Sequence, residues 1–251
     1  QSSPAGARWL VAAAWSGAYL EEVTAVELER IRQYLTNIMS GQSLERQLCA
    51  DATDDTIIPL AKEEELDDYT YRVAGSVGEF WTYMSLEHLF EADAAVEARL
   101  FETGVRFGKA LQLINILRDL PEDLRMGRCY IPSAVLTEHD LEPRDLLEPE
   151  NIGRFRPVFD GYIDKATAHL DAAVDYIGLL PHSQFRLRGA CMLPVLIGQR
   201  TLTLLRTQNV LDGENRIKVL RPEIKQLKRK TMLALPSGRR SQRLLDVNRS
   251  A

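Results

Sequence analysis

The stretch QLINILRDLPEDLRMGRCYIP, residues 112–132, decides how the rest of the chain is read. At ~100° per residue a helix carries Gln112, Asn115, Asp119 and Asp123 within a stripe ~80° wide, so two amides and two carboxylates project from one face over three turns. Leu111, Ile114 and Leu117 are left to pack the remaining faces, while Arg118 beside the stripe and Arg128 just past its end add positive charge. Asp pairs at this spacing usually lie on solvated surface. Here the two amides continue the stripe into a Leu- and Ile-rich helix, where polar groups are costly unless they meet partners or water. Oxygen donors in this layout suit Mg2+, which keeps several waters and bridges one or two carboxylates to substrate phosphates; the two arginines suit the remaining charge of a diphosphate.

Working outward, apolar residues recur at intervals of three and four over residues 7–22, 26–49, 64–90, 94–124, 155–180 and 185–208, so the spacing predicts an all-α protein. Pro59, Pro132, Pro143, Pro149, Pro181 and Gly213 fall between these segments, and residues 133–151 read as an irregular connection with one short helix after Pro132. With 251 residues, 45% hydrophobic content and no obvious linker, a single domain over residues 1–251 is expected. A net charge of -5 with both signs scattered offers no continuous basic face, which argues against a nucleic-acid partner. Cys49, Cys129 and Cys191 are too few and too far apart for a disulfide framework or a zinc site, which points to a cytoplasmic setting. His88, His139, His169 and His182 are isolated, without a Cys or carboxylate at ligand spacing. No apolar run reaches the ~18 residues of a membrane span, and peripheral contact with a membrane stays open.

A second stretch, DDYTYRVAGSVGEFW at 67–81, places Val73, Ala74, Gly75, Val77 and Gly78 in the middle of a helix. Each helical glycine costs roughly 1 kcal/mol relative to Ala, so either a close helix crossing or a bound ligand offsets it. Tyr69, one turn before Val73, offers a phenol at the edge of this apolar wall.

Together, YTYRVAGSVG at 69–78 and GKALQLINILRDLPEDLRMGRCYIP at 108–132 resemble the two signature regions of the squalene/phytoene synthase family. The likeness runs more loosely over 26–230, through GQSLERQL at 41–48 and CMLPVLIGQRTLTLLR at 191–206. This resemblance implies the all-helical isoprenoid-synthase fold, one bundle around a central apolar cavity with metal sites near its mouth. It also implies a two-step, head-to-head condensation of two prenyl diphosphates. Residue by residue, it implies that Asp119 and Asp123 are the second aspartate-rich motif, holding Mg2+ with Asn115, and that Gln112, Arg118 and Arg128 join them around diphosphate. Tyr69 matches a tyrosine that assists ionisation or proton handling, and Val73, Val77 and Leu111 match cavity-lining positions. Cys191, Pro194 and VGEFW at 77–81 resemble the bacterial squalene synthase branch. That branch implies farnesyl diphosphate as substrate, presqualene diphosphate as intermediate and a final hydride from NADPH. Phytoene or dehydrosqualene synthesis, ending in proton loss, is the alternative; a non-catalytic assembly or binding protein is the second.

One departure stands out. The family carries a first aspartate-rich motif upstream of the GQ segment, whereas the acidic residues of 1–40 are Glu21, Glu22, Glu27 and Glu29. DATDD at 51–55 follows that segment and fits a helix end or loop. The expectation is therefore a chain that continues upstream of Gln1 and carries the motif there with the first helices. The basic stretch RIKVLRPEIKQLKRK, 216–230, reads as a solvated helix face, or as one that attracts anionic lipid or the phosphate of a cofactor. Monomer and homodimer are both compatible with the sequence.

Overall fold

The computed structural model describes residues 24–50, 56–214 and 216–246. The helix expected over 7–22 and the DATDD segment at 51–55 lie outside the described residues. The first described helix, α1 (Ala25–Ala50), opens on a reciprocal cap. Glu27 N–H donates to Thr24 Oγ1 at 3.2 Å and Thr24 N–H donates to Glu27 Oε2 at 2.7 Å, so two backbone donors at the helix start are satisfied. The other Glu27 oxygen lies 2.6 Å from His88 Nε2, which ties the start of α1 to the chain's next long helical unit.

That unit was expected as one helix over 64–90. It is α2 (Glu63–Thr70), a π-helical turn (Tyr71–Gly75) and α3 (Ser76–His88), running on without a break. The π turn inserts extra backbone between Tyr69 and Val77, so the two do not keep the register that α-helical spacing predicts.

The polar stripe rides on α4 (Ala94–Arg125), ~48 Å long at 1.5 Å per residue. Asp93 caps its start by accepting from Ala95 N–H at 3.0 Å and Val96 N–H at 2.9 Å. Its end is set by Gly127, whose φ of 74° is the left-handed conformation that ends helices, and whose N–H donates to Leu124 O at 3.0 Å. The chain then enters β2 (Arg128–Cys129), which pairs in parallel with β1 (Ile58–Pro59) through Ile58 N–H to Gly127 O at 2.9 Å and Leu60 N–H to Cys129 O at 3.0 Å. This two-residue ladder folds the chain back so that Arg128 returns to the end of α4.

The remaining elements are α5 (Ser133–Thr137), two 3-10 turns (Pro143–Leu147 and Pro149–Asn151), α6 (Ile152–Leu179), α7 (Phe185–Thr207), α8 (Arg221–Ala234) and α9 (Gly238–Asp246). The architecture is all-α, as the spacing predicts. Helix α4 is central: α6 lies along it, and α3, the π turn and α7 pack on its other sides. Its Leu113, Ile114, Ile116, Leu117, Leu120 and Leu124 are buried, facing a core that includes Phe155, Phe159 and Tyr176. Gln112, Asp119 and Asp123 stay partly open and Asn115 is exposed. Among the described residues no helix is long and apolar enough to cross a membrane.

Candidate active site

Of the explanations offered for the small residues of 73–78, a close helix crossing is observed. A Cβ on Gly78 would lie 2.0 Å from Gly104 O, and one on Gly108 would lie 2.0 Å from Ala74 O, so α3 and the π turn before it cross α4 backbone to backbone. Beside that crossing opens an apolar cavity of about 320 Å³, whose walls include Val73, Val77, Trp81, Leu111, Cys191 and Pro194. Close approach of two helices at glycine leaves the larger side chains to stand around the space rather than fill it.

A second cavity, about 410 Å³, shares Leu111, Ala190 and Pro194 with the first and extends along α4 to Asn115 and Arg118. Along a single helix the wall thus changes from glycine and leucine to amide and guanidinium. One turn further on, the carboxylates are engaged by arginines. Arg118 donates through Nε to Asp119 Oδ1 at 2.9 Å and through Nη2 to Oδ2 at 2.6 Å. Arg216, from the connection between α7 and α8, donates to the same Asp119 Oδ1 at 2.9 Å and reaches Glu122 Oε1 at 2.9 Å. Asp123 pairs with Arg128 at 2.9 Å, and both side chains are largely buried. Partial burial works to raise the Asp119 pKa, but the hydrogen bonds and charge of Arg118, joined by those of Arg216, outweigh it and hold the carboxyl below its ordinary value.

Val73, Val77 and Leu111 therefore meet in one cavity and Asn115 and Arg118 in the next, while Asp119 and Asp123 continue the same helix toward Arg128. Tyr69 lines neither cavity. It is buried, its ring stacked on Tyr130 with centroids 5.0 Å apart, and its hydroxyl lies 3.4 Å from the Tyr130 hydroxyl. Arg216 is the residue that reading the sequence missed. It opens the basic stretch assigned to a solvated face, and only the return of the chain after α7 brings it onto Asp119, a contact across 97 residues for which no local signal exists.

Among the described residues no group of three or more His, Cys, Asp or Glu is placed to hold a metal ion. The donor set nevertheless fits a hard divalent cation that shares its coordination with a diphosphate, since such an ion needs only one or two protein carboxylates. Asp119 and Asp123 could serve as those carboxylates, and Arg118, Arg128 and Arg216 around them suit the anion.

A profile of squalene/phytoene synthases matches residues 31–223, well over half of the chain. The chain belongs to the squalene/phytoene synthase family. Among curated family relatives, the bifunctional lycopene cyclase/phytoene synthase of Aspergillus oryzae is 31% identical over 127 residues, covering 49% of this chain and 22% of that protein. The 15-cis-phytoene synthase of Synechocystis is 37% identical over 120 residues, covering 44% of this chain and 34% of that protein. This chain thus spans about a fifth to a third of the length of these relatives. A solved dehydrosqualene synthase superposes with a TM-score of 0.62 at 24% identity, over 81% of this chain and 65% of that one. A squalene synthase from Alicyclobacillus acidocaldarius superposes at 0.56 with 21% identity, over 70% of this chain and 60% of that one. At these identities the superpositions establish a shared all-α isoprenoid-synthase fold.

Proposed function

We propose that this protein is a prenyltransferase that joins two farnesyl diphosphates head to head, through presqualene diphosphate, to squalene. The observation that carries the reading is the run of two cavities along α4, apolar around Val73, Val77 and Leu111 and polar from Asn115 and Arg118 toward Asp119. Such a wall matches a ligand with a long apolar tail and an anionic head. The apolar cavity holds the prenyl tail and excludes the water that would quench a carbocation. Arg118, Arg128 and Arg216 receive the diphosphate as it leaves, and the developing charge is stabilised by groups already in position. Asp119 and Asp123, with Asn115, would hold Mg2+, which when bound supplies Lewis-acid stabilisation of the departing diphosphate. Gln112, on the same face of α4, hydrogen-bonds the diphosphate. Tyr69 assists ionisation or proton handling, which requires its hydroxyl to exchange Tyr130 for the ligand. The reading also requires acidic groups opposite Asp119 and Asp123, and it draws them from sequence outside the described residues.

NADPH, when bound, would supply the hydride that ends squalene formation after loss of the second diphosphate. A second reading, phytoene or dehydrosqualene synthesis, is favoured by the names of the Aspergillus and Synechocystis relatives, both phytoene synthases. That route ends in proton loss and needs no reductant. Incubation with farnesyl or geranylgeranyl diphosphate, each with and without NADPH, separates the two. Squalene formed only with NADPH supports the first reading, and a hydrocarbon formed equally well without it supports the second. Asp119→Ala and Asp123→Ala should each nearly abolish Mg2+-dependent diphosphate release; unchanged turnover in both would remove these carboxylates from the mechanism. A polyisoprenoid hydrocarbon leaves water for a lipid phase, so the reading carries contact with a membrane surface.

A further inference from the structure

On α8 the buried Leu227, Thr231 and Ala234 mark the inward side. At ~100° per residue the outward side carries Lys225, Arg229, Met232 and Leu233. Met232 and Leu233 are 63% and 66% exposed. Lys228, Arg229 and Lys230 on α8, and Arg239, Arg240 and Arg243 on α9, form no ion pair with a described residue, although the chain as a whole carries a net charge of -5. The one acidic residue of α8, Glu223, is taken by Arg200 at 2.6 Å.

The surface continues onto α7. A Cβ on Gly189 would lie 2.9 Å from Leu235 Cδ1, so the end of α8 rests on the first turns of α7. One turn before Gly189, Phe185 is exposed with the Arg186 guanidinium 5.9 Å from its ring centre. Gly238, the first residue of α9, lies against His182 just ahead of α7. One residue past Gly189, Ala190 lines both cavities, and the exposed Val77 and Trp81 line the first. Exposed apolar side chains therefore stand both at the cavity wall and at the end of α8, beside a concentration of unneutralised positive charge.

We propose that this face docks on an anionic lipid bilayer, with Phe185, Met232 and Leu233 entering the interface and the cations of α8 and α9 lying among the headgroups. Interfacial helices combine a cationic flank with an apolar edge, which is the pairing found here. Nucleic acid would use the cations but gains nothing from exposed Met232 and Leu233. The position of Ala190 gives the docking a use: the cavity wall comes to the bilayer, and an apolar product passes into lipid without crossing water. That use rests on the reading of a hydrocarbon product, whereas the docking rests on the surface alone.

The test is sedimentation of the full chain, without substrate, with vesicles of phosphatidylcholine alone or with phosphatidylglycerol added. Binding should favour the anionic vesicles and weaken with salt. The triple variant Lys228→Gln, Arg229→Gln, Lys230→Gln should lose about a hundredfold in partitioning, roughly fivefold per cation. Met232→Asp with Leu233→Asp should also reduce it, and because these side chains are exposed both variants should keep the wild-type denaturation midpoint. Equal partitioning into both vesicle types, or no loss in either variant, overturns the proposal. So does binding to duplex DNA without binding to vesicles, or a concentration-dependent dimer that Met232→Asp with Leu233→Asp dissolves while vesicles are ignored. Diphosphate release assayed in detergent is read separately: vesicle binding without turnover refutes the enzymatic reading and leaves the docking intact, and turnover without vesicle binding does the reverse.

Discussion

Asp119 accepts from two arginines that approach it from different parts of the chain, and this makes its carboxyl a structural anchor, while the proposed function requires those arginines to be shared with a diphosphate. Its folded-state pKa lies below its unfolded one, so the stabilisation is complete above the ordinary carboxylate value of ~3.9 and is lost as pH falls through the depressed folded value. Asp119→Asn should therefore cost about 1 kcal/mol near neutrality, a modest figure because Arg216 is half exposed, and the gap to wild type should narrow as denaturation is repeated from pH 5 to pH 3. A constant gap across that range would show that Asp119 contributes through packing alone. Arg216 tests that sharing. If it passes from Asp119 to the departing diphosphate, Arg216→Ala should lower kcat/KM for the prenyl diphosphate about tenfold to a hundredfold, the worth of a charged hydrogen bond. An unchanged kcat/KM would leave Arg216 as a fastener for the loop after α7. The Asn115–Asp119–Asp123 spacing was legible because a helix imposes it locally, whereas Arg216 was illegible because its partner is set by tertiary return.

At the scale of the element, the crossing of α3 and α4 decides whether the cavity exists. A methyl group on Gly78 or Gly108 would meet a backbone carbonyl at 2.0 Å, and backbone cannot rotate aside as a side chain can. Gly78→Ala should therefore destabilise by about 2 kcal/mol despite the better helix propensity of Ala, because overpacking outweighs that gain. Gly161 in α6 is the control, since nothing lies within 4 Å of the position its Cβ would take. Gly161→Ala should stabilise by ~0.5 kcal/mol. Urea midpoints of the two variants, moving in opposite directions, check the assignment; a shift of the same sign in both would mean that helix propensity rather than contact governs these sites. Helix periodicity made α4, α6 and α7 legible to within three residues at their ends. It could not reveal the π turn at Tyr71–Gly75, since one extra backbone residue per turn leaves a sequence that still reads as helical. Nor could it reveal the β1–β2 ladder, in which two residues on each side pair across 70 residues of chain and still determine where Arg128 sits.

For the molecule as a whole, the proposed function makes the walls of the first cavity the measure of chain length. Val73 and Val77 come from the helical unit that crosses α4, Leu111 from α4 itself, Tyr176 from α6 and Cys191 and Pro194 from α7, so four separately packed elements fix its dimensions. Trp81 is the bulkiest of the residues in that wall, and it is only half buried, so trimming it alters the cavity more than the core. If the cavity holds the prenyl tail as proposed, removal of an indole from its wall should admit a longer tail while weakening contact with a shorter one. Each additional methylene accommodated is worth about 1–3 kcal/mol of discrimination, so Trp81→Ala should shift the ratio of kcat/KM for geranylgeranyl over farnesyl diphosphate upward at least about tenfold. The expected pattern is a change of opposite sign for the two substrates, read from single-substrate kinetics of diphosphate release. Equal losses for both would mean that Trp81 supports the fold of α3 and not the length of the cavity, and the measure of chain length would then have to come from Leu111 or from residues outside the described chain.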